Sequence, residues 1–142
     1  MTELDDHKNM LSADEQATLV EALMAIRSKV CWKPGKDVVH HQKRQNMGHL
    51  PASCSLAGYE GQIYDIVRNG QNIVYLYDFS GIYFYAVRGF KADNERLVIF
   101  GRGGVMETAF PPENMDEYLT TRGFVLLGRV EEVLRWTKEA HT

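Results

Sequence analysis

The apolar residues of this chain change their period once, near residue 72. That change limits the possible folds more than any other feature. Before it, Leu19, Val20, Leu23, Ile26 and Val30 recur at helical spacing, and Tyr59, Ile63, Ile66 and Val67 form a second such stripe. After it come "NIVYLYDF", "GIYFYAVRG", "ERLVIFG" and "VMETAF", short β-branched and aromatic runs separated by "SG", "KADN" and "RGG". The first pattern predicts helices over 13–30 and 56–68. The second predicts strands at 72–79, 81–89, 95–101 and 105–110, joined by tight turns. Helices first and a meander afterwards predict an α+β fold class. N-terminal helices pack on one face of a four- to five-stranded antiparallel meander, and C-terminal helices follow. The other face of the sheet is expected to be open to solvent or ligand.

Local signals punctuate these elements. Ser12 with Glu15 is a capping-box pair at the start of the first helix. Pro34 and Gly35 break that helix, and "HHQKRQNMGHL" (40–50) reads as irregular chain. Asn114 and Glu117 open a short helix that Arg122-Gly123 ends. "FVLLGRV" is a fifth strand or an apolar arm, and 130–139 reads as a last helix, with Val133, Leu134 and Trp136 available for packing.

With 142 residues, the chain suits one globular domain over 13–142, preceded by a flexible acidic tail at 1–12. No apolar run reaches the roughly 20 residues that cross a bilayer. An acidic start is unlike a signal peptide, so a cytoplasmic location is expected. Cys31 and Cys54 are too few for a disulfide scaffold. The net charge of −3 is unlike that of a strongly basic nucleic-acid binder. The average hides a dipole, however. Acids dominate residues 1–21, whereas 27–49 hold Arg27, Lys29, Lys33, Lys36, Lys43 and Arg44 against Asp37 alone. A local basic stretch can serve a polyanion, or it can be a solvated face.

The same basic stretch carries His40, His41 and His49. With Cys31 and Cys54 these are zinc-binding types, but no C-x-x-C or H-E-x-x-H spacing is present, so neither a metal nor another cofactor is expected. Metal-free RNA cleavage needs a base, an acid and fixed positive charge around phosphorus. Histidine suits the first two tasks, and Lys or Arg suits the third. Strand alternation places Met106, Thr108 and Phe110 on one face of their strand, and Glu107 and Ala109 on the other. Tyr83 and Tyr85 point one way and Arg88 the other. Tyr83, Tyr85, Arg88, Arg102 and His49 are candidate substrate-binding residues, through base stacking and phosphate clamping. Tyrosines in strands also serve as half-buried packing residues.

Two helices followed by a four-stranded meander resemble the toxin nucleases related to barnase, colicin D, RelE and the EndoU-like ribonucleases. "GRGGVMETAFPP" is similar to a late strand of several branches in Gly104, Thr108, Phe110 and Pro112, and "HHQKR" falls where an early catalytic segment would. The resemblance covers about residues 13–112 and implies a metal-independent ribonuclease acting on RNA phosphodiesters. It implies His41 (or His40) with Lys43 or Arg44 as acid–base and phosphate groups, and Thr108 as a hydroxyl holding the phosphate. It leaves 113–142 unexplained.

The alternative is a non-catalytic protein-binding module, an inhibitor or a phage or plasmid accessory factor. It would use the aromatic sheet face on a protein partner or in a homodimer. A cysteine nucleophile, Cys31 or Cys54 beside a histidine, has only residue type in its favour.

Overall fold

The computed structural model describes residues 11–50, 53–91 and 94–136. Five helices and six strands are present among them: α1 (Ala13–Ser28), β1 (Cys31–Trp32), α2 (Lys36–Asn46), α3 (Leu56–Val67), β2 (Ile73–Phe79), β3 (Ile82–Lys91), β4 (Asn94–Phe100), β5 (Val105–Phe110), α4 (Met115–Thr121), β6 (Val125–Arg129) and α5 (Val130–Leu134). The tail read at 1–10 and the end of the last helix beyond 136 lie outside the described residues.

The capping box at Ser12 is formed in both directions, and Leu11 before it is buried, so the core begins within the stretch read as tail. α1 buries Leu19, Val20, Ala22, Leu23 and Ile26, the stripe read from its spacing. Strands β2 to β5 form the expected meander. Ser80 and Gly81 both have positive φ, at 53° and 89°, the turn geometry that matches strand twist. Asp78 Oδ1 accepts from the Gly81 N–H at 2.7 Å and closes that turn.

The sheet is wider than the meander and is not purely antiparallel. Its order is β1-β5-β4-β3-β2-β6. β6 adds antiparallel to β2, which makes "FVLLGRV" an edge strand. β1 pairs parallel with β5, Cys31 opposite Val105 and Trp32 opposite Met106. Two residues after a helix carry no period, so β1 has no signature in the sequence.

Both sheet faces are covered, contrary to the expected open face. On one face α1, α3 and α5 bury Val74, Leu76, Tyr85, Val87, Val98, Phe100 and Met106. On the other, α4 brings Met115 and Leu119 onto Tyr75, Ala86, Leu97 and Ile99. The stacked pair Tyr77–Phe124, with ring centroids 4.6 Å apart, extends this second core. Residues 113–122 thus supply a third layer, which a reading confined to the first helices and the meander lacks.

The link into β5 is pressed against α1. A Cβ on Gly104, whose φ is +80°, would lie 2.8 Å from the Ala25 Cβ and 3.0 Å from the Ala22 carbonyl oxygen. Only glycine fits there, and this contact fixes the start of β5.

Candidate functional site

The histidine-rich stretch, read as irregular, is helical as far as Asn46 and a turn from Met47 to Leu50. Gly35, at φ +82°, turns the chain after Pro34, Asp37 lies in the first turn of α2, and Lys43 and Arg44 lie in the last. These charges complement the helix dipole, and no apolar stripe announces the helix. Its orientation is the reverse of the usual one. His40, His41 and Gln45 are half-buried and Arg44 is 4% exposed, whereas Val38 and Val39 are 60% and 56% exposed.

Rings make the polar docking possible. Trp32 on β1 and Tyr59 on α3 lie 5.8 Å apart as a platform. His40 stacks on Trp32 at 5.6 Å and 23°, and His41 sits 6.1 Å from Tyr59. The Trp32 Nε1–H donates to Glu60 Oε2 at 2.9 Å, and the Tyr59 hydroxyl donates to the Ala109 carbonyl at 2.7 Å. Burial pushes the Tyr59 hydroxyl up to about 12, so it stays a donor. His41 Nε2 lies 2.7 Å from the Cys54 carbonyl oxygen, so that nitrogen carries a proton and donates. His40 Nδ1 is buried without a partner. Burial first, then Arg44, Lys43 and Lys36, hold His40 below the ordinary histidine range, while Glu107 acts the other way.

Glu107 is where strand alternation fails. Ile99 pairs Thr108 and Phe100 pairs Met106, so Glu107 is the extra residue of a bulge. Met106 and Ala109 consequently share the first core and Phe110 joins the second, which corrects the grouping of Met106, Thr108 and Phe110. Bulges re-aim side chains at sheet edges. Here Glu107 accepts from Lys33 Nζ at 2.8 Å, on the flank where His40 packs.

Further along α2, Arg44 places its guanidinium 5.3 Å from the Phe110 ring centroid, with Nη1 3.0 Å from His49 Nδ1. Arg96 on β4, 9% exposed, donates from Nη2 to the His49 carbonyl at 3.2 Å. Both arginines have a buried Nε–H without a partner, and no ion pair to a carboxylate is formed by either among the described residues. Buried cations are ordinarily paired. Burial lowers both from the ordinary arginine value.

The candidate residues are therefore divided. His40, His41, Arg44 and His49 line the inner flank of α2 and its exit. Lys43 is on the exposed side. The Thr108 hydroxyl is buried without a partner, opposite Ile99. Tyr83, Tyr85 and Arg102 line a separate cleft of about 540 Å³ with Asp14, Glu15 and Asp78. Tyr85 there is 2% exposed, a packing residue more than a stacking platform. Arg88 is held by Glu95 and Asp116 on the face that α4 covers. Lys33 and Arg96 were absent from the sequence-based set, and Glu107 was placed by simple strand alternation. A charged residue beside a bulge or in a buried strand has no local signal.

Among the described residues no group of three or more His, Cys, Asp or Glu could hold a metal ion, and no helix is long and apolar enough to cross a membrane. No protein-family model, curated protein or solved structure matches the chain.

Proposed function

We propose that this chain is a metal-independent ribonuclease that cleaves RNA phosphodiesters along the flank between α2 and β5. The observation that carries the reading is the inverted docking of α2, which turns His40 and Arg44 inward while two valines face solvent. Polar side chains buried at the expense of apolar ones are retained where chemistry needs them. His40, neutral because burial and three nearby cations disfavour its charged form, accepts the proton of the 2′-hydroxyl. The 2′-oxygen bonds to phosphorus and the bond to the 5′-oxygen breaks. Lys33, oriented by Glu107, gives its proton to the departing oxygen. Arg44, one helical turn beyond His40, adds fixed positive charge in a site of low dielectric. The products are a 2′,3′-cyclic phosphate and a free 5′-hydroxyl.

The test is incubation with mixed cellular RNA in EDTA, followed by analysis of the fragment ends. Cyclic-phosphate ends are expected, with the rate lowered about 10²- to 10⁴-fold in His40→Gln. RNA left intact by folded protein overturns the reading.

A second reading, a protein-binding module, is favoured by exposed Val38 and Val39 on the outer side of α2. It moves the contact surface from the sheet, which is covered, to that helix. Light scattering after size exclusion reports whether the surface is used between copies.

A further inference from the structure

Beyond the end of α2 lies a recess of about 500 Å³, within the size range of small-molecule sites. Met47, His49, Phe110, Glu117, Tyr118 and Arg122 line it. Its chemistry follows from one contact. A guanidinium can only donate, so His49 Nδ1, 3.0 Å from Arg44 Nη1, must accept. The ring proton therefore sits on Nε2. Protonating Nδ1 as well would set two cations face to face. Burial first, then Arg44 and Arg96, accordingly hold His49 below the ordinary histidine range. The backbone is tied equally firmly, the His49 N–H donating to the Arg44 carbonyl at 2.8 Å and its carbonyl accepting from Arg96. His49 is thus a neutral, fixed N–H donor at a recess wall.

The remaining walls suit a flat ring. Phe110 and Tyr118 meet edge to face, 5.2 Å between centroids at 75°. The Arg122 guanidinium lies 4.3 Å from the Tyr118 centroid. Aromatic rings and stacked guanidiniums accept unpaired bases on their faces. Glu117 supplies an acceptor, so the recess offers both halves of a base-edge pattern. Behind His49, Arg44 and Arg96 are cations that no described carboxylate pairs, which favours a ligand bearing negative charge.

We infer that this recess is a nucleobase subsite, in which the His49 Nε2–H donates to an acceptor on the base edge while one of the Phe110 and Tyr118 rings packs on its face and the other meets its rim. The inference deepens the ribonuclease reading and rests on it for the choice of RNA as the polymer. Arg44 touches both the His49 and Phe110 walls and lies one turn from His40. A base in the recess would therefore hold the adjoining phosphate toward the α2–β5 flank.

The test is titration of the whole protein at pH 7 with each of the four nucleoside 3′-monophosphates, and with inorganic phosphate, followed by calorimetry and histidine NMR. One or more nucleotides should bind at least about tenfold more tightly than phosphate, with a shift of the His49 Nε2 proton, because a donor and an acceptor meeting one base edge are together worth about that factor. His49→Phe should lose that preference. Glu117→Ala alters only an exposed side chain, and so serves if His49→Phe fails to fold; it should change the ranking among the four nucleotides. Four nucleotides that bind no more tightly than phosphate overturn the subsite, as does unchanged preference in Glu117→Ala together with an unmoved His49 proton. Cleavage in EDTA without nucleotide preference removes the subsite alone. Nucleotide preference with intact RNA removes the ribonuclease and leaves the subsite standing.

Discussion

α1 and α2 follow one another in the chain and obey opposite rules. α1 buries five apolar residues and no charged one. α2 buries an arginine, half-buries two histidines and exposes Val38 and Val39. The first helix, despite an exposed Met24, is placed chiefly by the hydrophobic effect. The second is not, since rotating it to bury the valines would free the histidines. The difference separates residues that hold the fold from residues held by it.

The largest effect expected on stability lies in α1. Leu23→Ala should cost about 2–5 kcal/mol in urea denaturation, because Leu23 is fully buried. Its remaining folded fraction should cleave RNA at an unchanged rate. A small cost would mean that α1 is not the structural partner in this contrast.

Arg44→Met is the sharper probe of α2. Burying a charge without a partner carboxylate is costly, so an apolar side chain of similar volume removes that cost. Stability should hold or rise while RNA cleavage falls at least about tenfold, a factor worth about 1.4 kcal/mol in the barrier. A loss of stability equal to that of Leu23→Ala would make Arg44 a structural residue and erase the distinction.

Acidity should also act through α2. The folded protein holds His40 and His49 below the ordinary histidine value, in both cases through burial first. The unfolded chain, with histidines near 6.5, then takes up protons before the folded one does. This contribution to stability is complete above about pH 6.5 and is lost as pH falls toward the lowered values of the folded state. Urea midpoints at pH 7.5 and 5.0 should show the loss, and His40→Gln should reduce it. Equal losses in the two proteins would contradict the assignment for His40.

The smallest effect belongs to the outer side of α2. Val39→Thr should change stability by no more than about 0.5 kcal/mol and leave cleavage unchanged. A larger cost would mean that Val39 is covered in solution, which supports the protein-binding reading.

What the sequence discloses divides along the same line. α1, α3 and the meander were readable because Leu19 to Ile26 and the β-branched runs repeat at the spacing their burial requires. α2 was not, because rings on β1 and α3, remote in sequence, dock its polar face. β1 was too short to show a period, and the closure of the second sheet face depended on where α4 returned. At the candidate site, residue types along "HHQKR" and "GHL" singled out a stretch whose His40, His41, Arg44 and His49 are partly or fully buried. Which of them turn inward was decided by Trp32, Tyr59 and Phe110. Glu107 was assigned its place by a bulge, which shifts alternation by one and leaves no mark in composition.

That bulge also bears on how the protein behaves in company. β5 is paired on its outer side only with the two residues of β1, and beyond them the Tyr59 hydroxyl takes the Ala109 carbonyl, so little of the edge from Glu107 to Phe110 is left for strands from other copies to add to. An extra residue in the ladder spoils the register such a strand would need, and the Lys33–Glu107 pair places charge along its path. A displaced glutamate, its lysine partner and the Tyr59 cap together make this edge a poor template for β-aggregation, unattractive to the chain's own copies.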